Sequence, residues 1–333
     1  MRYHKPIMKL ASFLLLLTAV TALAATEEQV KTNFNVAPGG RLAVEVDSGA
    51  IEVASNATSQ VTVDVWRKIT RRNKSDEEQF LRDHPVSFVQ DGNTVTVRCR
   101  DRETQRRWFN WGFRNNRNEA KYTIRVPAEF DTELKTSGGP IAARDLTGKA
   151  QARTSGGGLR FTRLHGPLDG HTSGGGIRMT DCEGPIKIDT SGGGIDVTGG
   201  GGSLDGHTSG GGVTVKDFAG PITVNTSGGG ITVENIGGEV KGSTSGGRVS
   251  AVLPAPVPGN VSLSTSGGGV TVKVTPSAAF LLDAKTSGGG VSCDLPITIE
   301  GKMKHDQLKG TVNGGGPDIL LRSSGGSIHV KKL

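Results

Sequence analysis

Large side chains are scarce in this sequence: aromatic residues make up 5% of 333 positions, against 51 glycines. That ratio excludes an ordinary globular core of this length, which needs bulky groups to fill it and a backbone stiff enough to limit the entropy lost on folding. Cysteine is scarce too. The three present, Cys99, Cys182 and Cys293, cannot all pair within one chain, so a disulfide framework is not what stabilises the fold. Cys99 continues the alternation Val95, Val97, Cys99, and the other two fall in apolar columns of the repeat described below; three buried thiols are expected. Past residue 24 no stretch approaches the roughly 20 apolar residues that a membrane-spanning helix needs.

The one apolar run lies at the start. Arg2, Lys5 and Lys9 precede Leu10 to Leu23, and the run closes on Ala22-Leu23-Ala24. Residues 1–24 therefore read as a secretory signal peptide with a small-residue cleavage site. The expected location is outside the cytoplasm, in the periplasm, the cell envelope or the extracellular space. Without that segment the chain carries 36 basic and 32 acidic side chains, a net +4. So mild an excess, in an exported protein, argues against nucleic acid as a partner.

What is abundant is a repeat. Thr-Ser-Gly-Gly begins at Thr136, Thr154, Thr172, Thr190, Thr208, Thr226 and Thr244, every 18 residues, and then at Thr265 and Thr286 after gaps of 21. A fixed period of this kind marks a solenoid. Eighteen residues also make five helical turns, but three successive glycines and a mid-unit Gly-Pro exclude a helix. Residues alternate within a unit, as in Ile177-Arg178-Met179-Thr180 and Ile186-Lys187-Ile188-Asp189, which gives two short strands per rung. Equivalent positions align into apolar columns: Leu159, Ile177, Ile195, Val213, Ile231, Val249; Phe161, Met179, Val197, Val215, Val233, Ala251; and Leu168, Ile186, Leu204, Ile222, Val240. A fourth column, Leu146, Leu164, Cys182, Gly200, Phe218, Ile236, lies at the mid-unit turn. These face inward. Asp169, Lys187, Asp205, Thr223 and Lys241 form an outward column whose alternating signs favour parallel, in-register stacking. The glycine corner is expected to use φ > 0 to reverse the chain, with Thr and Ser hydroxyls bonding backbone at the bend. No acidic residue recurs at a fixed position after the corner glycines, unlike calcium-binding solenoids.

The fold class expected is all-β: a right-handed parallel β-solenoid (β-helix) with two-strand rungs of about 18 residues and an N-terminal β-rich cap containing a short helix. The domain reading is residues 25–134 as first rung and cap region, and 135–333 as repeat solenoid with a C-terminal closing half-rung. Val46 to Val53 is an early half-match, so the first rung precedes the regular array. Ser75 with Glu78 gives a capping-box pattern and Pro85 a stop, predicting a helix over 75–83. Strands Pro85 to Val89 and Thr94 to Arg100 flank a turn at Gln90-Asp91-Gly92-Asn93. Pro254, Pro256 and Pro258 mark a loop where the period lengthens. Ser323 to Val330 reads as the closing half-rung, with Lys331 and Lys332 opposing further strand addition.

The Thr-Ser-Gly-Gly-(Gly)-(Ile/Val)-x-(Val) units resemble the bacterial putative-adhesin family of β-strand repeat proteins, a domain family of unknown function, over about Asn33 to Val330. The resemblance implies a right-handed parallel solenoid and an adhesin-like role, and brings no catalytic residues.

Two polar constellations stand out. His171, Asp189 and His207 occupy one column on successive rungs, at a spacing of about 4.8 Å that would suit a metal or an acid–base pair; other members of the column, Lys135, Arg153, Asn225, Ser243, Ser264 and Lys285, mark it instead as a solvated face. The second is Arg106, Arg107, Trp108, Phe109, Trp111, Phe113, Arg114 and Arg117. Arginine among aromatics suits stacking on sugars or pairing with anionic headgroups, and the two tryptophans equally suit a plug for the solenoid's end. Arg106, Arg107, Trp108, Trp111, Arg114 and Arg117 are the candidate binding residues. Serine-hydrolase, HExxH and phosphate-loop signatures are missing, and the regular rungs leave little room for the loop-built groove of a carbohydrate-active β-helix enzyme. No metal or other cofactor is expected. The reading is a non-catalytic, exported binding protein whose partner is a glycan, an anionic envelope component or another protein, with a cell-envelope sensor or scaffold as the alternative.

Overall fold

The computed structural model describes residues 25–99, 117–301 and 304–333. Among them are 29 strands and one helix. The strands of successive repeats pair parallel and in register: Leu168–Thr172 lies on Ala150–Thr154 with Leu168 opposite Ala150, and Ile177–Thr180 lies on Leu159–His165 with Ile177 opposite Leu159. The protein is a parallel β-solenoid with two sheet faces, built by the 18-residue period.

The inward columns are buried as the alternation requires. Ile177, Ile195, Val213, Ile231 and Val249, and behind them Phe161, Met179, Val197, Val215 and Val233, are each at most 1% exposed. Burying one such side chain contributes about 1.5–3 kcal/mol, which a single rung cannot collect without neighbours above and below. The two faces compensate in volume. Gly170 stands where the other sheet carries Phe161, and a Cβ there would come within 3.0 Å of the Phe161 ring.

The repeated threonine is part of this core. Thr172, Thr190, Thr208, Thr226 and Thr244 are buried, and each hydroxyl works in two directions. Thr208 Oγ1 donates to the Gly193 carbonyl of the rung before it (2.7 Å) and accepts from the Gly211 amide of its own corner (3.3 Å). The same pair of bonds recurs at Thr190 and Thr226. Because a buried polar group left unpaired is costly, this ladder fixes the rungs' relative height as well as their register.

The corner glycines serve a different purpose from the one expected. Those of the regular corners do not adopt positive φ. They are needed because the corners stack backbone on backbone: a Cβ at Gly175, Gly193, Gly211 or Gly229 would penetrate the carbonyl of the equivalent glycine one rung earlier. Left-handed conformations are found at the opposite, mid-unit turn instead, at Asp145, Arg163, Asp181, Asp217 and Asn235 (φ 49–60°) and at Gly199 (φ 70°). Asp and Asn tolerate this region better than other non-glycine residues. The Asp/Asn/Gly recurrence immediately before the Leu146–Ile236 column was the available signal.

Both ends depart from sequential stacking. At the C-terminal end Asp318–Ser323 pairs with Val261–Thr265 on one side and with Phe280–Thr286 on the other, while Ile328–Lys332 lies between Val270–Val274 and Val291–Cys293. The segment expected to close the solenoid as a half-rung is therefore a full rung inserted one level in, and the outermost rung is built from residues that precede it in sequence. Lys331 and Lys332 do not guard the end. Ser323 takes the threonine role at this level, donating to Gly268 O (2.8 Å), and Thr286 in turn donates to Gly326 O (2.7 Å). Two antiparallel strands, Gln307–Val312 and Ile297–Ile299, then continue from the outer edge of Phe280–Thr286.

The N-terminal end repeats the device. Gly40–Val46 sits between Thr94–Cys99 and Phe130–Thr136, and Ala50–Asn56 between Arg117–Pro127 and Ile141–Thr147. The early half-match is thus a true rung, with a further rung outside it. Antiparallel strands cover that outer rung: Ser87–Asp91 on Thr94–Cys99, then Gln60–Thr70 on Arg117–Pro127 and Thr26–Asn35 beyond. The hairpin turn is tighter than expected, since Asp91 already pairs with Thr94. The helix runs Lys74–Asp83, and its N-cap is Asn73, whose side chain accepts from the Asp76 amide (2.9 Å), not Ser75. In the proline loop at 254–260, Val257 is buried.

Candidate binding surface

The outward columns form two polar faces. On the first, His171 is directly opposite Asp189 and Asp189 opposite His207. His171 Nδ1 lies 2.9 Å from Asp189 Oδ1, both side chains being more than a third exposed. Lys135, Arg153, Asn225, Ser243, Ser264 and Lys285 belong to the same column, and Arg322 of the inserted rung stands between Ser264 and Lys285. Among the described residues no group of three or more His, Cys, Asp or Glu is arranged to hold a metal ion. The neighbouring outward column, Asp169, Lys187, Asp205, Thr223, Lys241, has the expected register. Arg153 reaches diagonally to Asp169 (3.1 Å). Exposed pairs of this kind contribute about 0–1 kcal/mol and leave their charges accessible to a ligand.

The second face carries Ala142, Arg160, Arg178, Asp196, Thr214 and Thr232 on successive rungs. A shallow depression of about 340 Å³ runs along it beside the glycine corners, bordered by Pro140, Gly158, Gly176, Gly194 and the side chains of Arg160, Arg178 and Asp196. Arg178 pairs with Asp196 at 3.5 Å.

Of the arginine–aromatic candidates, Arg106, Arg107, Trp108, Trp111 and Arg114 lie outside the described residues, as do Phe109 and Phe113. Arg117 opens the strand Arg117–Pro127, its backbone opposite Thr70. The segment's anchor points, Cys99 and Arg117, both belong to the outermost N-terminal rung, and Cys99 occupies the corner position that is Thr136 two rungs in.

Only Cys182 of the three free thiols is fully buried; Cys99 and Cys293 are partly exposed because each ends a strand of an outermost rung, with no complete rung beyond to cover it. Burial raises the thiol pKa of Cys182 and of Cys293 above the ordinary value. Beside Cys99 lies a polar cluster that sequence reading missed. Arg67 is 3% exposed, pairs with Glu28, donates to the His84 carbonyl (2.6 Å) and lies 3.6 Å from Cys99 Sγ. Tyr122 is buried next to it, and desolvation, followed by Cys99, pushes its hydroxyl far above the usual phenol range. Nearby Glu77, also buried, accepts from Thr26 Oγ1 (2.7 Å) and from the Arg71 amide (3.0 Å). The signal was present: Arg67 interrupts the inward alternation Val61, Val63, Val65, Ile69. Inside the cap Arg67 ties the first strand to the residue after the helix through Glu28 and the His84 carbonyl, and Glu77 ties the helix to Thr26 of that strand.

Fold and surface together define a parallel β-solenoid with capped ends and two laddered polar faces. The sequence matches the Toastrack DUF4097 family over residues 40–331. The chain belongs to that family. None of the curated proteins matches it. Among solved structures it is similar to a putative adhesin from Bacteroides fragilis (12% identity, 92% of this chain and 97% of that one covered, TM-score 0.33). It is also similar to a putative cell adhesion protein from Clostridium sporogenes (11%, 92% and 100%, TM-score 0.23) and to a putative lipid binding protein from Parabacteroides distasonis (12%, 92% and 96%, TM-score 0.29).

Proposed function

We propose that this protein is an exported, non-catalytic binding module that acts in the cell envelope or outside the cell, presenting its solenoid faces to a repetitive ligand such as a glycan. The observation that carries this reading is the regularity of the outward columns. Polar side chains recur at strand spacing, about 4.8 Å, along two faces whose charges are paired only at the exposed surface. A polymer can be gripped by many weak, equivalent contacts of this sort, whose affinities combine without a deep pocket. Export rests on the charged and apolar pattern of residues 1–24. Within the same reading, Arg106, Arg107, Trp108, Trp111, Arg114 and Arg117 supply stacking and charge-pairing contacts to the ligand.

A glycan array probed with the purified chain, alongside a crosslinking pull-down from envelope fractions, tests the proposal. The expected result is retention on a class of repeating glycans. Capture of a single protein partner with no glycan retained would replace it with the scaffold role.

A further inference from the structure

We infer that the depression beside Arg160 and Arg178 is a binding site for an oxyanion, a carboxylate or phosphate group carried by an extended ligand. Three observations converge there. Arg160 lies directly opposite Arg178 on adjacent rungs, so the two side chains leave the sheet about one strand spacing apart, about 4.8 Å, with the Arg178 guanidinium reaching Asp196 on the next rung. Like charges placed directly opposite are destabilising in a sheet, and elsewhere on this surface opposite signs meet: His171 with Asp189, Lys216 with Glu234, Lys121 with Glu52. Where Lys135 faces Arg153, and Arg322 faces Lys285, the carboxylates of Glu133, Asp169 and Asp283 relieve them. Lys273 and Lys331 face each other as flexible, exposed lysines on the same side. Arg178 pairs with Asp196, whereas Arg160 has no carboxylate partner among the described residues.

The second observation is concavity. These two arginines border the depression of about 340 Å³, where the neighbouring backbone is glycine and a ligand can come close. The third is the donor set. Gly158, Gly176 and Gly194 line the same depression, and no acceptor among the described residues pairs with their amides. Planar, bidentate guanidinium donors with backbone N–H groups beside them form the combination that recognises carboxylate and phosphate. Since the corner repeats at every rung, an extended acidic chain lying along the solenoid would place one charged group here and run its remaining units over the Ala142 side, away from the Asp196 carboxylate on the rung that follows Arg178.

This inference rests on the binding-module reading and narrows it to acidic ligands, and the test separates the two. Oligogalacturonate supplies carboxylates, tripolyphosphate supplies phosphates, and dextran is the uncharged control; binding is measured by calorimetry at low and at physiological salt. The expected result is binding of at least one acidic probe, weakened by salt. In R160Q/R178Q the affinity falls at least tenfold, and in K273Q, which removes one positive charge from the same face, it is unchanged. The double variant melts close to the parent, because the repulsive pair it removes offsets the exposed Arg178–Asp196 pair lost with it. Equal binding by parent and R160Q/R178Q, or equal losses in R160Q/R178Q and K273Q, would overturn the site. Dextran binding without either acidic probe would overturn it while leaving the binding module standing, and binding of none of the three would count against both.

Discussion

Replacing Thr208 by valine keeps the side chain's shape and removes only its hydroxyl. In the parent, Oγ1 bridges two rungs, donating to Gly193 O at 2.7 Å and accepting from Gly211 N at 3.3 Å, at a position with no solvent exposure. Valine leaves both backbone groups short of a partner, and each buried group left unsatisfied costs about 1–3 kcal/mol. The second bond is long, so the sum is expected at about 2–4 kcal/mol. Serine keeps both bonds and loses one methyl group, about 1 kcal/mol. The chain already contains that substitution: Ser323 makes the equivalent bonds to Gly268 O and from Gly326 N at 2.8 and 3.0 Å. The expected order of stability is parent, then Thr208→Ser, then Thr208→Val. Stacked repeats can lose all-or-none cooperativity, so denaturant midpoints are read together with hydrogen exchange at the Gly211 amide, which should accelerate in the valine variant and hardly change in the serine variant. A valine variant as stable as the serine variant would refute the claim that the hydroxyl, and not its methyl, holds the rungs together.

Adjacent corner glycines should differ sharply: Gly138→Ala meets open space and is tolerated, whereas Gly139→Ala drives a Cβ into the Gly49 carbonyl and lowers the melting temperature by many degrees. Hydrogen bonds from Lys135, and then from Arg41, hold the Glu133 carboxyl below its ordinary pKa. A depressed folded pKa gives stability that is present above the unfolded carboxylate value and lost as pH falls through the folded one, so melting curves of Glu133→Gln should show a shallower decline below about pH 4 than the parent. Burial raises the thiol pKa of Cys182; at pH 8 a disulfide reagent should label it only after denaturation, and rapid labelling of the native protein would contradict its place in the core.

The body of the solenoid was legible in the sequence because its pairing is local in the repeat: residue i meets i + 18, and the periodic columns of Ile, Val and Leu state both the face and the register. The ends were not legible. The 21-residue step from Thr265 to Thr286 looks like one lengthened rung, yet Ser323 lies between them in space; which rung a segment joins is decided by non-local pairing and cap geometry, which no period encodes. The glycine corners were identified for the wrong reason, since crowding between stacked backbones and a need for positive φ both select glycine. The Arg67–Glu28 cluster showed itself only as a charge in an apolar alternation. As for the surface, the His171–Asp189–His207 column could be placed from spacing alone, whereas the depression at Arg160 and Arg178 needed the corner's three-dimensional shape.

The stacking order at the C-terminal end underlies the laddered faces, because it decides which outward residues are neighbours, and paired cysteine substitutions test it directly. In-register parallel strands put opposite Cα atoms about 4.8 Å apart, within disulfide range, and twice that distance is outside it. Ser264→Cys combined with Arg322→Cys should therefore form a cross-link under mild oxidation, identified by mass spectrometry of the linked peptides, while Ser264→Cys with Lys285→Cys should not. A cross-link between positions 264 and 285, with none between 264 and 322, would mean that the rungs follow the order of the sequence and would contradict the fold described above.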